Sequence, residues 1–297
     1  MLSFQSLYSE SQEQAQDTSA TTLVLIKRAI NQGAKKFGAV LNREWRTSYK
    51  AFSLVANQQF YKTPVNSIRP KSVTVTIGNI SYFLVLIEDD ETWRHLNYTV
   101  QTSSIPEFFY IKGNNQFGIY PIPSGSVSNA GELAYERRMR DMSVDDYVTG
   151  TISVTANSAA VVGSGTTFTA LMVGRGVKIN DANGDGMWYT ISAFTNGTSI
   201  TLDQPYEGST ASGLSFAIGE LPDIPEEFHE SLTDYALFRF YTRRKDVSMA
   251  GTFKGLYEEA LKSCKETYSS KTASQYYKKP HINNRTFSNI NSTRQVS

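Results

Sequence analysis

The feature that most constrains this chain is an interruption. A mixed helix-and-strand pattern runs to about Asp146, gives way to a charge-poor Thr/Ser/Gly block, and resumes at Ile224-Pro225-Glu226-Glu227 as two strong helical patterns. The block, residues 149–219, holds 30 Thr, Ser or Gly among 71 residues and only six charges: Arg175, Lys178, Asp181, Asp185, Asp203 and Glu207. A chain that pauses one pattern, completes another and returns is expected to carry a guest domain inside a host. Such a guest belongs at a host surface where the chain leaves and comes back at nearly one point.

A length of 297 residues leaves room for about two domains, each with its own core. The net charge of +1 removes any expectation of general affinity for nucleic acid or acidic membranes. One cysteine, Cys264, excludes an intramolecular disulfide framework and fits a reducing compartment. The first twenty residues are polar and carry Glu10, Glu13 and Asp17, so no signal peptide is expected. The longest apolar run, Tyr82 to Ile87, is far too short to span a bilayer.

Residues 1–18, rich in Ser and Gln, predict a flexible N-terminal arm. From Thr22, apolar residues at Leu23, Ile26, Ile30, Ala34, Phe37 and Leu41 mark one face of a helix. Strand signals follow. Ser72 to Ile77 alternates, Gly78-Asn79 is a turn pair, and Ser81 to Ile87 predicts a buried strand. Asp89-Asp90-Glu91-Thr92-Trp93 predicts a short helical turn with acids at its start. Phe108 to Lys112 and Gln116 to Tyr120 flank Gly113-Asn114-Asn115 as a hairpin, which Pro121-Ile122-Pro123 ends. Glu132 to Arg138 is a further strand, running into charged residues 137–146.

The guest block predicts short strands at 151–155, 159–162, 176–179, 188–194, 199–202 and 214–218, closing as a small all-β sandwich or barrel. After it, Phe228, Leu232, Tyr235, Ala236 and Arg239 predict one helical face. Asp246 or Ser248 caps a second helix with the stripe Met249, Phe253, Leu256, Ala260 and Cys264. Residues 269–297 contain no acid and predict an extended C-terminal tail that orders on a partner. The fold class is therefore α+β: a helical core with a small antiparallel β meander, residues 19–148 and 220–268, interrupted by the β domain at 149–219.

These residues carry a resemblance. The N-terminal helix, the meander ending in Gly118-Ile119-Tyr120-Pro121-Ile122-Pro123, the strand Leu133-Ala134-Tyr135-Glu136-Arg137-Arg138, and Ile224-Pro225-Glu226-Glu227-Phe228 leading into Leu232 to Tyr241 resemble, in that order, the head-to-tail adaptor (connector or neck) proteins of tailed bacteriophages. The similarity covers roughly 20–148 and 220–268. Within the block, Gly163-Ser164-Gly165-Thr166-Thr167-Phe168, Met172-Val173-Gly174-Arg175, Trp188-Tyr189-Thr190-Ile191 and Leu202-Asp203-Gln204-Pro205-Tyr206-Glu207-Gly208 look like a small β module of phage virion proteins. The resemblance implies a structural virion protein that is assembled in the bacterial host cytoplasm. It would form a ring, dodecameric in most of that family, at the head–tail junction. Its implied partners are its own copies, the portal, the tail or next neck protein, and genomic DNA as non-specific cargo in the lumen, with no membrane.

Candidate sites follow. Tyr276, Tyr277, Lys278 and Lys279 in the acid-free tail are the expected portal-docking residues, the aromatics supplying affinity and the lysines orientation. Arg239, Arg243, Arg244 and Lys245 form a basic set that faces the DNA channel or a partner, or else matches a helix C-terminal dipole. Asp181-Ala182-Asn183-Gly184-Asp185-Gly186 matches the first half of a calcium loop. Its twelfth position is Ser192, where a bidentate Glu is needed, so the motif is expected to be a hairpin turn. His95, His229 and His281 share no metal spacing, and His229 is expected to be solvated or half-buried. Cys264 continues an apolar stripe and is expected to be a buried hydrophobe. No catalytic motif, cofactor loop or metal constellation is present, so no enzyme is expected.

Two rival readings remain. A tail-fibre or adhesion component would stack host glycans on Trp188, Tyr189 and Tyr206. A cell-wall hydrolase would need paired carboxylates in a cleft, and Asp145-Asp146 and Asp89-Asp90 are expected instead to be solvated turn acids.

Overall fold

The chain begins with a helix where its composition predicts a loose arm. The computed structural model describes residues 1–41, 45–98, 101–113, 115–181 and 184–268. Helix α1 (Phe4–Ala15) starts at Ser3, whose hydroxyl accepts the Ser6 N–H at 3.1 Å, and ends at Gln16 in the left-handed region (φ 51°). Phe4, Leu7, Tyr8, Ser11 and Ala15 fall at helical spacing and are buried. The expectation of a flexible arm is thereby corrected: one narrow face inserts among the other helices, while Ser6, Ser9, Glu13 and Gln14 stay exposed.

Helix α2 (Ala20–Val40), capped by Ser19, buries Ile26, Ile30, Ala34 and Phe37. Helices α4 (Ser231–Arg244) and α5 (Val247–Tyr268) complete a bundle with α1 and α2. A shared core joins Phe4, Leu7, Ile30, Phe37, Leu232 and Tyr257. Gly33 lets α2 pack closely on α4. A Cβ there would lie 3.2 Å from the Tyr235 ring, and its carbonyl accepts the Tyr257 hydroxyl at 3.0 Å. Asp246 caps α5, accepting the Met249 N–H at 3.1 Å. The predicted α5 stripe holds in part: Cys264 is buried and Phe253 and Ala260 pack against the bundle. Met249 and Leu256 face outward instead, and the adjacent Ala250 and Tyr257 take the buried positions, a choice between neighbouring stripes that apolarity alone does not make. Arg239, predicted on the α4 apolar face, is exposed; Ala236, Leu237 and Phe240 take the buried positions.

Between α2 and the guest lies a two-layer sandwich. One sheet has the order β1 (Thr47–Leu54), β10 (Val127–Arg137), β3 (Ser67–Ile77), β4 (Ile80–Phe83). The other has β2 (Phe60–Lys62), β8 (Gln116–Tyr120), β7 (Phe108–Lys112), β5 (Val85–Ile87). Leu54, Val73, Val75 and Leu133 from the first meet Phe109, Phe117 and Ile119 from the second. A short parallel pair, β6 (Thr102–Ser103) with β9 (Ile122–Pro123), flanks them, so the chain resumes pairing immediately beyond Pro121. Helix α3 (Asp90–Asn97), capped by Asp89, lays Trp93 on Tyr110 with ring centroids 5.0 Å apart. The single buried strand expected over 81–87 is two strands in two sheets. Leu84 dives into the core between them, leaving Phe83 and Val85 exposed.

Residues 151–219 form a seven-stranded antiparallel sheet in the order β16 (Ala211–Leu214), β11 (Thr151–Val154), β12 (Ala160–Ser164), β15 (Ser199–Leu202), β14 (Trp188–Asn196), β13 (Gly176–Ile179), β17 (Phe216–Gly219). The outermost strands of that order, β16 and β17, are consecutive in sequence with only Ser215 between them. The sheet therefore curls until its ends meet. Strand β16 was not predicted because Ser212 and Gly213 (φ 71°) break its apolar alternation. Where the chain enters and leaves this unit, Tyr147 and Ile218 exchange backbone hydrogen bonds of 2.9 Å.

Candidate docking and assembly surfaces

The foot of the bundle is a joint where four parts of the sequence converge. Tyr8 on α1 donates to Asp145 Oδ1 at 2.8 Å, and Lys27 on α2 reaches the same oxygen at 2.7 Å while lying 4.1 Å from the Tyr8 ring centroid. Those donors hold the Asp145 carboxyl below the usual range, Lys27 contributing most. The neighbouring Asp146 accepts from the Ser3 hydroxyl at 2.6 Å, and burial pushes its pKa up. Glu220, almost fully buried, accepts the Val144 N–H at 2.9 Å and pairs with Arg140 at 3.4 Å. The rival assignment of Asp145 and Asp146 as catalytic carboxylates does not fit this setting. Both are committed to holding α1 against the segment before the guest.

His229 belongs to the same joint and is fully buried, which corrects the expectation of a solvated or half-buried ring. Its Nδ1 accepts the Leu2 N–H at 3.2 Å, so the Nε2 proton points to the Ile224 carbonyl 3.1 Å away. Burial holds its pKa below the ordinary value, fixing the neutral form. Cys264 is fully buried against the bundle core, and burial pushes its thiol up to about 11, an inert setting.

The basic set on α4 divides. Arg244 pairs with Asp17 at 2.8 Å and lies over the Phe240 ring at 4.5 Å, tying α4 to the α1–α2 turn. Asp17 is pulled down to about 2, first by the Ser19 backbone hydrogen bond. Arg239, Arg243 and Lys245 are exposed, and Arg243 shares a shallow hollow with Arg28 and Val24. Tyr276, Tyr277, Lys278 and Lys279 lie outside the described residues, as does Asn183 of the Asp181–Gly186 segment. Asp185 of that segment caps a local turn, accepting from the Met187 N–H at 3.1 Å and the Tyr189 hydroxyl at 2.5 Å. No cluster of three metal-ligating side chains occurs among the described residues.

Of the aromatics of the glycan reading, Tyr206 is buried in the guest core with half-buried Tyr189 against it at 5.6 Å, while the half-buried Trp188 indole donates to the Met1 carbonyl at 3.0 Å. Surfaces that sequence reasoning missed are on the sandwich instead: Tyr49 on β1 and Ile80 and Phe83 on β4 stand exposed. Strand pairing, which no single sequence displays, decides that exposure.

Among known families, the model described as SU10 adaptor protein matches residues 2–161, more than half of the chain. No curated protein matches. The matched span takes in α1, α2, the sandwich, the joint residues Asp145 and Asp146, and the first strand of the guest.

Proposed function

Because the chain belongs to the SU10 adaptor protein family, and is thus a structural component of a bacteriophage particle, we propose that it forms a closed ring at the head–tail junction. The ring docks beneath the portal, joins the DNA-filled head to the tail or the next neck ring, and lets DNA pass through its lumen. The family match over α1, α2 and the sandwich carries this reading. The ordered resemblance of residues 20–148 and 220–268 to head-to-tail adaptors supports it, with the dodecamer as the expected copy number.

A ring of identical copies requires two different, complementary side faces on each copy. Lumen contacts with DNA fall to exposed cations such as Arg239, Arg243 and Lys245, touching phosphates without reading sequence. Portal docking falls to the tail, with Tyr276 and Tyr277 as anchors and Lys278 and Lys279 as orienting charges. Removing residues 269–297 is expected to abolish portal binding and leave the thermal melt unchanged. Normal binding by the shortened chain removes that assignment.

Negative-stain microscopy with mass analysis, on the chain alone and mixed with its cognate portal, tests the main reading. Closed rings stacked coaxially on the portal are expected, either preformed or templated by it. A monomer or trimer indifferent to the portal overturns it.

A further inference from the structure

The first sheet of the sandwich is open at both ends, and the two ends match. Among the described residues, strands β1 and β4 each pair on one side only. Sheet edges are normally blunted by charges, prolines or a covering element. Strand β4 reads Ile80-Ser81-Tyr82-Phe83, with no charge and no proline, and leaves Ile80 59% and Phe83 79% exposed. At the opposite edge Tyr49 of β1 is 66% exposed.

The register gives these residues a common face. Tyr49 is aligned with Ala134, and Phe83 is aligned through Thr74 with Glu132. Ala134 and Glu132 are two apart on β10, so Tyr49 and Phe83 both project from the side of the sheet away from the core. Strand directions alternate across β1, β10, β3 and β4. A β4 edge laid in plane beside the β1 edge of another copy is therefore antiparallel to it, the pairing every neighbour in this sheet already uses. Setting Phe83 opposite Tyr49 of the next copy also sets Ile80 opposite its Phe52, on the core-facing side. There a cleft of about 250 Å³, lined by Ala51, Phe52, Pro64, Val65 and Phe117, is open to receive it. The charges agree. Lys50 and Lys62 rim that cleft, while exposed Glu88 and Glu107 flank β5 at the other end of the sandwich.

We propose that neighbouring copies of this chain join by β-augmentation, β4 of one adding antiparallel to β1 of the next so that one sheet continues from subunit to subunit. Main-chain hydrogen bonds provide the attachment, and the Phe83–Tyr49 and Ile80–Phe52 contacts fix the register. The contact is heterologous, the type that closes into a ring when its rotation permits. This inference rests on the ring reading and names the surface that serves it.

The test uses the full chain. Tyr49→Cys with Phe83→Cys in one chain, assembled into particles and mildly oxidised, is expected to give a ladder of disulfide-linked multimers on a denaturing gel. Either single variant is expected to give none. In solution, Phe83→Glu is expected to weaken self-association at least tenfold, and Phe83→Glu combined with Tyr49→Lys to restore it, with circular dichroism unchanged throughout. Self-association that ignores these substitutions, with no ladder, overturns the β4–β1 contact and leaves the ring standing. A wild-type chain found as a single copy in assembled particles overturns the ring and this contact together.

Discussion

The guest and the host sandwich are both antiparallel strands over an apolar core, and they treat their edges in opposite ways. In the guest, the end strands β16 and β17 are neighbours in sequence, so the sheet curls until its two ends come together at Ser215, and the Tyr147–Ile218 bridge covers the strand nearest the host. In the sandwich, β1 and β4 end their sheet with open backbone and exposed aromatics. On the proposed β4–β1 contact, the difference separates a sheet that curls round within one chain from one that continues into a neighbouring copy.

The largest expected effect attacks this comparison directly. Phe216, buried in the guest core, should cost about 3–5 kcal/mol when truncated in Phe216→Ala. Phe83→Ala should change the stability of the dispersed chain by no more than about 0.5 kcal/mol. Urea unfolding of both variants measures the contrast. Comparable losses would mean that β4 is covered within the single chain and that its edge is not open.

A second substitution asks how the host holds its open sheet in shape. Glu136 on β10, nearly buried, bridges Arg46 at 2.6 Å and Arg69 at 3.1 Å on the same outward face as Glu132. Replacing it in Glu136→Ala strands two guanidinium groups, one of them largely buried, and should cost about 3 kcal/mol. Calorimetry should show the loss in the host transition while the guest transition stays in place. A matching loss in both would mean the two units unfold as one.

Much of the guest was legible, because turn chemistry punctuates its strands and apolar residues alternate along them; β16 escaped because Gly213 erases that alternation. The bundle was half legible. Phe4, Leu7, Tyr8, Ser11 and Ala15 carry a helical spacing, yet Gln and Ser around them suggested disorder. What orders α1 lies far away in sequence, in Asp145, Asp146, Glu220 and His229. The open edge was the least legible part. Phe83 sits in an apolar run that composition reads as buried, and only the pairing of β4 with β3 reveals that its other flank has no neighbour among the described residues. The docking residues of the tail lie outside the described residues, so for them the sequence reading stands as a proposal.

A smaller effect separates the regions by pH. On α4, burial, with Glu10 of α1 and Glu230 nearby, pushes Asp234 up to about 6. The folded chain then binds this proton more tightly than the unfolded chain, so its contribution to stability declines as pH rises from about 4 through 6 and stays unfavourable above. Asp234→Asn should therefore stabilise the bundle by about 1 kcal/mol at pH 7–8, after allowance for partial solvent exposure, and by nothing below pH 4. Thermal melts at the two pH values check the sign. Stabilisation that persists in acid would point to packing rather than titration.

The smallest effect runs the other way and comes from His229. Its folded pKa is depressed by burial, so its contribution is fully present above the ordinary value near 6.5 and is lost as pH falls, because the unfolded chain takes up the proton first. Protonation also removes the lone pair that accepts the Leu2 N–H, so acid should release the start of α1 before the bundle melts. Protection of the Leu2 and Phe4 amides, relative to the intrinsic exchange rate at each pH, should fall between pH 7 and 5 in the wild type and be low at both in His229→Leu. The guest provides the control within the same molecule. Its shifted groups are the phenols of Tyr189, pushed up to about 12, and Tyr206, raised as well, and neither titrates in that window. Its amides should therefore exchange at a rate set by pH chemistry alone. If guest protection falls in parallel with Leu2, acid is loosening the whole chain, and the sealed guest and the jointed host are not independent units.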